Sequence, residues 1–103
     1  MKAIELRITG RVQGVSFRAS TRVKALELGL SGWVRNEPDR SVRAFAQGSN
    51  AAVQALAQWC EQGPTYAEVN AVDIRSAEPD GSLTTFAILG KQQRTIRPAT
   101  AKR

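Results

Sequence analysis

Ile4, Leu6 and Ile8 alternate with Glu5 and Arg7. A period of two predicts a strand with one buried face. The stretch from Thr9 to Phe17 breaks the alternation and holds Gly10 and Gly14, so a loop is expected there. From Ser16 or Phe17 the period changes. Ala19, Val23, Leu26 and Leu30 fall at i, i+4, i+7 and i+11, one stripe of a helix, and Gly29 is placed to stop it. Trp33 to Asn36 and Val42 to Ala46 read as two strands of a hairpin. Between them Glu37-Pro38-Asp39-Arg40 turns the chain, because proline presets φ and aspartate favours turns through its side chain. Ser49 or Asn50 can cap a second helix, whose stripe is Ala52, Val53, Leu56, Trp59 and Cys60 and whose end is Gly63-Pro64. Val72 and Ile74 alternate with Asp73 and Arg75 in a further strand. The Pro79-Asp80-Gly81-Ser82 turn follows, and Phe86 and Ile88 mark a last short strand.

The order is thus β-α-β-β-α-β with one strand more. Alternating strands imply a sheet with one covered and one wet face. Two helices of similar length suffice to cover the first. The expected fold class is α+β: a ferredoxin-like (split βαβ) sandwich, with an antiparallel-rich sheet of four to five strands and two helices on one face. Phe17, Trp33, Phe45 and Trp59 are expected in the core, with Cys60 as a buried small hydrophobe. This fold serves enzymes, RNA-binding modules and metal-binding domains alike, so it does not decide function.

Composition removes several chemistries. The chain has 103 residues, which suits one domain with a modest core. It has no histidine, which excludes a Ser-His-Asp triad, a Cys-His pair and an imidazole metal ligand. Cys60 stands alone, so no internal disulfide, CxxC pair or thiolate zinc site is possible. No metal and no cofactor are expected. Apolar runs are far too short for a membrane span, and the charges of Glu5 and Arg7 do not suit a signal-peptide core. A cytoplasmic protein without a membrane partner is expected, acting as a monomer.

Charge changes the picture in one place. Fifteen Lys+Arg against nine Asp+Glu give +6. Residues 1–89 hold ten of the bases and all nine acids, whereas residues 90–103 hold Lys91, Arg94, Arg97, Lys102 and Arg103 with no acid. A nearly neutral domain over 1–89 therefore precedes a basic tail over 90–103, expected to be flexible. The tail alone could give weak, salt-sensitive contact with nucleic acid. The domain offers little for it. The first strand carries no aromatic, the hairpin strand carries only Phe45, and no K/R-G-F-G/A-F string occurs. Nucleic acid is therefore not the expected partner.

The segment Gly10-Arg11-Val12-Gln13-Gly14-Val15-Ser16-Phe17-Arg18 leaves a strand and enters a helix. Glycines there permit a tight turn with N–H groups pointing inward together. The helix that follows leaves its first N–H groups unpaired and carries a partial positive charge at its start. Such a place suits a phosphate or carboxylate. Arg18 falls in the first helical turn, and its planar fork can bind two anion oxygens. Taken alone, the two glycines also read as a plain connection beside an exposed arginine, and Asn36 as a turn residue. The spacing is not that of a Walker A loop. Arg11 and Gln13 read as rim or loop-ordering residues.

The whole string is more specific than its glycines. GRVQGVSFR resembles the signature of the acylphosphatase family, G-x-V-Q-G-V-x-F-R. GLSGWVRNEPDRSV is similar to that family's G-L-x-G-W-V-x-N-x-x-D-G-x-V, and the likeness continues through Trp59, QGP at 62–64, Ala67 to Val69 and TTFAI at 84–88. The resemblance implies hydrolysis of a small acyl phosphate to a carboxylate and inorganic phosphate. It implies that the phosphate is held by the loop Gly14, Val15, Ser16, Phe17 and Arg18, and that Arg18 and Asn36 are catalytic, Asn36 by positioning the attacking water. The lack of histidine is neutral for such a reaction. A carboxylate leaving group has a conjugate acid of pKa roughly 4 and needs little acid catalysis. Phosphoryl transfer asks chiefly for positioning and charge neutralisation.

Three positions depart from the pattern. Arg40 stands where the family turn has glycine; if φ is positive there, it costs about 1–2 kcal/mol. Ser16 could donate to a phosphate or cap the helix. Glu37, beside Asn36, would weaken phosphate binding if its carboxylate faced the site. The alternative readings are a non-catalytic ferredoxin-like module that binds nucleic acid through the tail, or an inactive family member, for instance a detached counterpart of the domain in larger carbamoyl-transferring maturation proteins.

Overall fold

The alternating residues of the first strand place it inside a five-stranded sheet. A computed structural model describes residues 1–90. The elements are β1 (Lys2–Arg11), α1 (Phe17–Glu27), β2 (Ser31–Asn36), β3 (Val42–Gly48), α2 (Asn50–Cys60), β4 (Glu68–Ser76) and β5 (Phe86–Leu89). The strand order is β4-β1-β3-β2-β5. Every pairing is antiparallel except β2 with β5, which run parallel. The split βαβ sandwich is therefore present, with β5 added at one edge. The basic segment 90–103, apart from Gly90, lies outside the described residues. Among the described residues no helix is long and apolar enough to cross a membrane.

Strand parity sets the core. Ile4, Leu6 and Ile8 of β1, Val34 of β2, Val42, Ala44 and Ala46 of β3, and Phe86 of β5 are buried in one cluster with Phe17, Ala25, Val53, Leu56 and Cys60. That is the helix-covered face. Burial pushes the Cys60 thiol up to about 12, so it behaves as a hydrophobe. Ser49 caps α2, its hydroxyl accepting from the Ala52 N–H at 3.1 Å. Gly29, at φ 74, ends α1, with the Leu30 N–H reaching the Ala25 carbonyl at 2.9 Å.

Three expectations are corrected. β1 does not stop near Thr9 but runs to Arg11 through an irregularity at Thr9/Gly10. Gly10 therefore belongs to the strand, where a Cβ would lie 2.2 Å from the Glu68 carbonyl oxygen. Next, α1 buries Phe17, Thr21 and Ala25, while Val23 and Leu26 are 55% and 42% exposed. Thr21 tolerates burial because its hydroxyl donates to the Phe17 carbonyl at 2.8 Å. Finally, the far face of the sheet is not simply wet. Trp33 and Phe45 stack there at 6.2 Å in a second small core with Ala3 and Ala77, with Leu83 and Leu89 packed against it. Trp59 is half-buried, packed against the helix-side core.

Candidate active site

Two anchors hold the loop between β1 and α1. Val12 and Phe17 are each 1% exposed. The Phe17 ring packs on Trp59 at 5.7 Å, and Gly63 lies so close that a Cβ there would stand 2.7 Å from the ring. Between the anchors Gly14 takes φ 75 and Ser16 takes φ 65. Left-handed residues set among right-handed ones turn successive N–H groups toward one side. Ser16 is the N-cap of α1, yet its side chain makes no capping hydrogen bond. The first helical bond runs from the Ser20 N–H to the Ser16 carbonyl at 3.0 Å. The N–H groups of residues 14–19 find no acceptor among the described residues. Open donors and the positive end of a helix together suit an anion.

Arg18 projects from the first turn of α1 and is half-buried, its side chain making no ion pair or hydrogen bond to a described residue. Asn36 ends β2. It shares the parity of Val34 and so faces the helices, whereas Trp33 and Arg35 face the other way. The Asn36 Oδ1 is buried and has no hydrogen-bond partner among the described residues. Gly14, Ser16, Arg18 and Asn36 line one cleft of about 160 Å³. Its apolar wall is Val12, Phe17, Ala19 and Ile88. Among the described residues, Arg18 is the one charged side chain in that lining.

The structure thus brings together Gly14, Ser16, Phe17, Arg18 and Asn36. Val15 differs: its side chain packs against the core, and its contribution to the loop is its backbone. Ile88 is a wall that the sequence placed in a strand and in the TTFAI likeness without marking it as part of a site. An Arg22 guanidinium nitrogen donates to the Phe86 carbonyl at 3.0 Å and ties α1 to that same strand.

The hairpin beyond Asn36 settles two further points. Arg40 does adopt positive φ, at 76. Asp39 compensates, accepting the Ser41 N–H at 3.0 Å and the Ser41 hydroxyl at 2.6 Å on one oxygen, and Arg7 at 2.5 Å on the other. The Ser41 donors and Arg7 hold the Asp39 carboxyl well below the usual carboxylate range. Glu37 does not face the cleft. Arg35 takes its carboxylate at 2.6 Å and lies over the Trp33 ring at 4.8 Å, with the two charged side chains only 7% and 14% exposed. The expected penalty of Glu37 on an anion site is therefore absent. Gln13 donates its amide to the Glu37 and Ser41 carbonyls, both at 2.9 Å, as a loop-ordering residue would. Arg11 is exposed, 4.0 Å from Glu68.

The family model described as Acylphosphatase matches residues 4–88. A protein named Acylphosphatase from Methylococcus capsulatus is 48% identical over 89 residues, covering 86% of this chain and 97% of its own. One of the same name from Roseiflexus sp. is 51% identical over 82 residues, covering 80% and 88%. Among solved structures, an acylphosphatase from Coxiella burnetii superposes with a TM-score of 0.82 at 34% identity, over 85% of this chain and 92% of that one.

Proposed function

Because the chain belongs to the acylphosphatase family, we propose that its cleft works by in-line attack of water on a bound phosphoryl group. The protein hydrolyses acyl phosphates to a carboxylate and inorganic phosphate. In our reading the N–H groups of residues 14–18 and the Arg18 guanidinium hold the phosphoryl oxygens and neutralise their charge. The Asn36 Oδ1 accepts a hydrogen bond from the attacking water and aims it at phosphorus. The water oxygen bonds to phosphorus as the bond to the acyl oxygen breaks. The electron pair leaves with the carboxylate, and both protons of the water leave on the phosphate product as dihydrogen phosphate. Among the described residues no carboxylate lines the cleft to take a proton from the water. A leaving group whose conjugate acid has a pKa of roughly 4 makes a strong base or acid unnecessary.

The observation that carries this reading is the Asn36 Oδ1, buried with no partner among the described residues in the cleft that Arg18 lines. A buried amide oxygen without a hydrogen bond is costly, and a substrate water would satisfy it. The reading includes a monomer and a cytoplasmic setting, the latter suiting a lone buried cysteine.

The test is hydrolysis of benzoyl phosphate with EDTA present. Wild-type protein turns it over. Arg18→Ala lowers kcat/KM by on the order of 1000-fold and weakens inhibition by inorganic phosphate. Asn36→Ala lowers kcat by on the order of 100-fold and keeps phosphate inhibition within about twofold of wild type. No turnover by wild-type protein under these conditions would overturn the mechanism, and full turnover by Asn36→Ala would remove Asn36 from it.

A further inference from the structure

The two halves of the cleft come from different segments. Residues 14–18 belong to the β1–α1 loop, and Asn36 to the hairpin of β2 and β3. Gln13 is the side chain that joins them. Its Nε2 donates to the Glu37 carbonyl and to the Ser41 carbonyl, each at 2.9 Å. A primary amide carries two N–H donors on one nitrogen, so one side chain can satisfy both acceptors. The same two carbonyls close the turn. The Glu37 N–H donates to the Ser41 carbonyl at 2.9 Å, and the Arg40 N–H to the Glu37 carbonyl at 3.1 Å. Asn36 is the next residue back along the chain and pairs with Val42 across the hairpin.

We propose that Gln13 is a positioning residue for hydrolysis, setting the distance between the phosphate loop and Asn36 by clamping the two turn carbonyls beside Asn36. This rests on the reading of Asn36 given above. The two sides are unequally secured. Val12 and Phe17 anchor the loop in the core on either side of Gly14. The hairpin end has Glu37, Pro38, Asp39 and Arg40 half-buried or exposed, held by the Arg35–Glu37 and Arg7–Asp39 pairs, neither of which reaches the β1–α1 loop. Without the clamp the loop keeps its shape and the water-positioning side drifts. Phosphate binding is therefore spared and the chemical step is not.

The experiment is a double-mutant cycle on benzoyl phosphate hydrolysis, with phosphate inhibition measured in parallel. Gln13→Met keeps the side chain's length and removes both donors. It is expected to lower kcat by roughly 10- to 100-fold, because small misplacements near the reacting atoms cost that much. KM and phosphate inhibition stay within about twofold of wild type. In the Asn36→Ala background Gln13→Met lowers kcat no further, since it acts through Asn36. Gln13→Asn retains the donors on a shorter stem that reaches one carbonyl, and its kcat falls between those of wild type and Gln13→Met. It serves as the reporter if Gln13→Met does not fold by circular dichroism. Unchanged kcat in these variants overturns the inference. So does an equal further loss in the Asn36→Ala background, or a joint rise in KM and in the phosphate inhibition constant. If Asn36→Ala itself keeps full turnover, the reading of Asn36 fails instead, and the two failures are told apart.

Discussion

Both helices begin at a serine, and the two serines behave differently. Ser49 has extended backbone angles, φ −67 and ψ 153, and its hydroxyl accepts the Ala52 N–H. Ser16 sits at φ 65 and ψ 23 and caps nothing. The start of α2 is closed by its own side chain. The start of α1 is held in an unfavourable backbone region, with donors left over. A helix N-terminus closed by its cap serves stability, whereas one left open at the mouth of a cleft has donors to give a ligand. The left-handed conformation at Ser16 costs about 1–2 kcal/mol, and the buried Val12 and Phe17 on either side hold it in place.

This contrast can be broken or sharpened by substitution. The largest effect is expected from Ser16→Asp. A carboxylate among the loop donors competes with phosphate, and repulsion at about 4 Å in a partly screened site raises the phosphate inhibition constant on the order of 100-fold. The same carboxylate at a helix start stabilises by about 0.5 kcal/mol, so urea unfolding should move the opposite way. A loss of both affinity and stability would show that the open donors are structural. Ser49→Ala comes next. It should lower stability by about 1 kcal/mol in urea unfolding and leave kcat and KM unaltered. The smallest effect is expected from Ser16→Ala, a stability change within about 0.5 kcal/mol. A loss equal to that of Ser49→Ala would mean that Ser16 caps α1 after all, and the comparison would fail.

Much of this was legible in the sequence. Period-two alternation from Ile4 to Ile8 identified β1 and its buried face, and Gly29 marked the end of α1, whereas α2 ends at Cys60, three residues before Gly63. The resemblance of GRVQGVSFR and GWVRN pointed to residues that the fold places around one cleft. The buried face of α1 was not legible. Val23 and Leu26 look like core, but helix orientation is set by what the sheet offers, and Thr21 can be buried because its hydroxyl bonds within the helix. Trp33 and Phe45 are buried as expected, but parity told only which residues of β2 and β3 share a face, not that theirs is the face away from the helices. The fate of Glu37 was equally hidden, since Arg35 is charged in the sequence and becomes its buried partner only when the strand's parity turns both away from the cleft. Gln13 read as a loop-ordering residue, yet its two acceptors are backbone carbonyls of a distant turn, which no side-chain identity reveals.

The position of β5 has a consequence in time. Ile88, which walls the cleft, lies on the last described strand, paired beside Val34 of β2. In this sheet only β2 and β3 pair as neighbours in sequence; every other pairing joins distant segments. Such arrangements form late, because loop closure must precede any gain from contact. A growing chain that already contains Arg18 and Asn36 therefore has no finished cleft. The cleft has its Ile88 wall only once β5 lies beside β2.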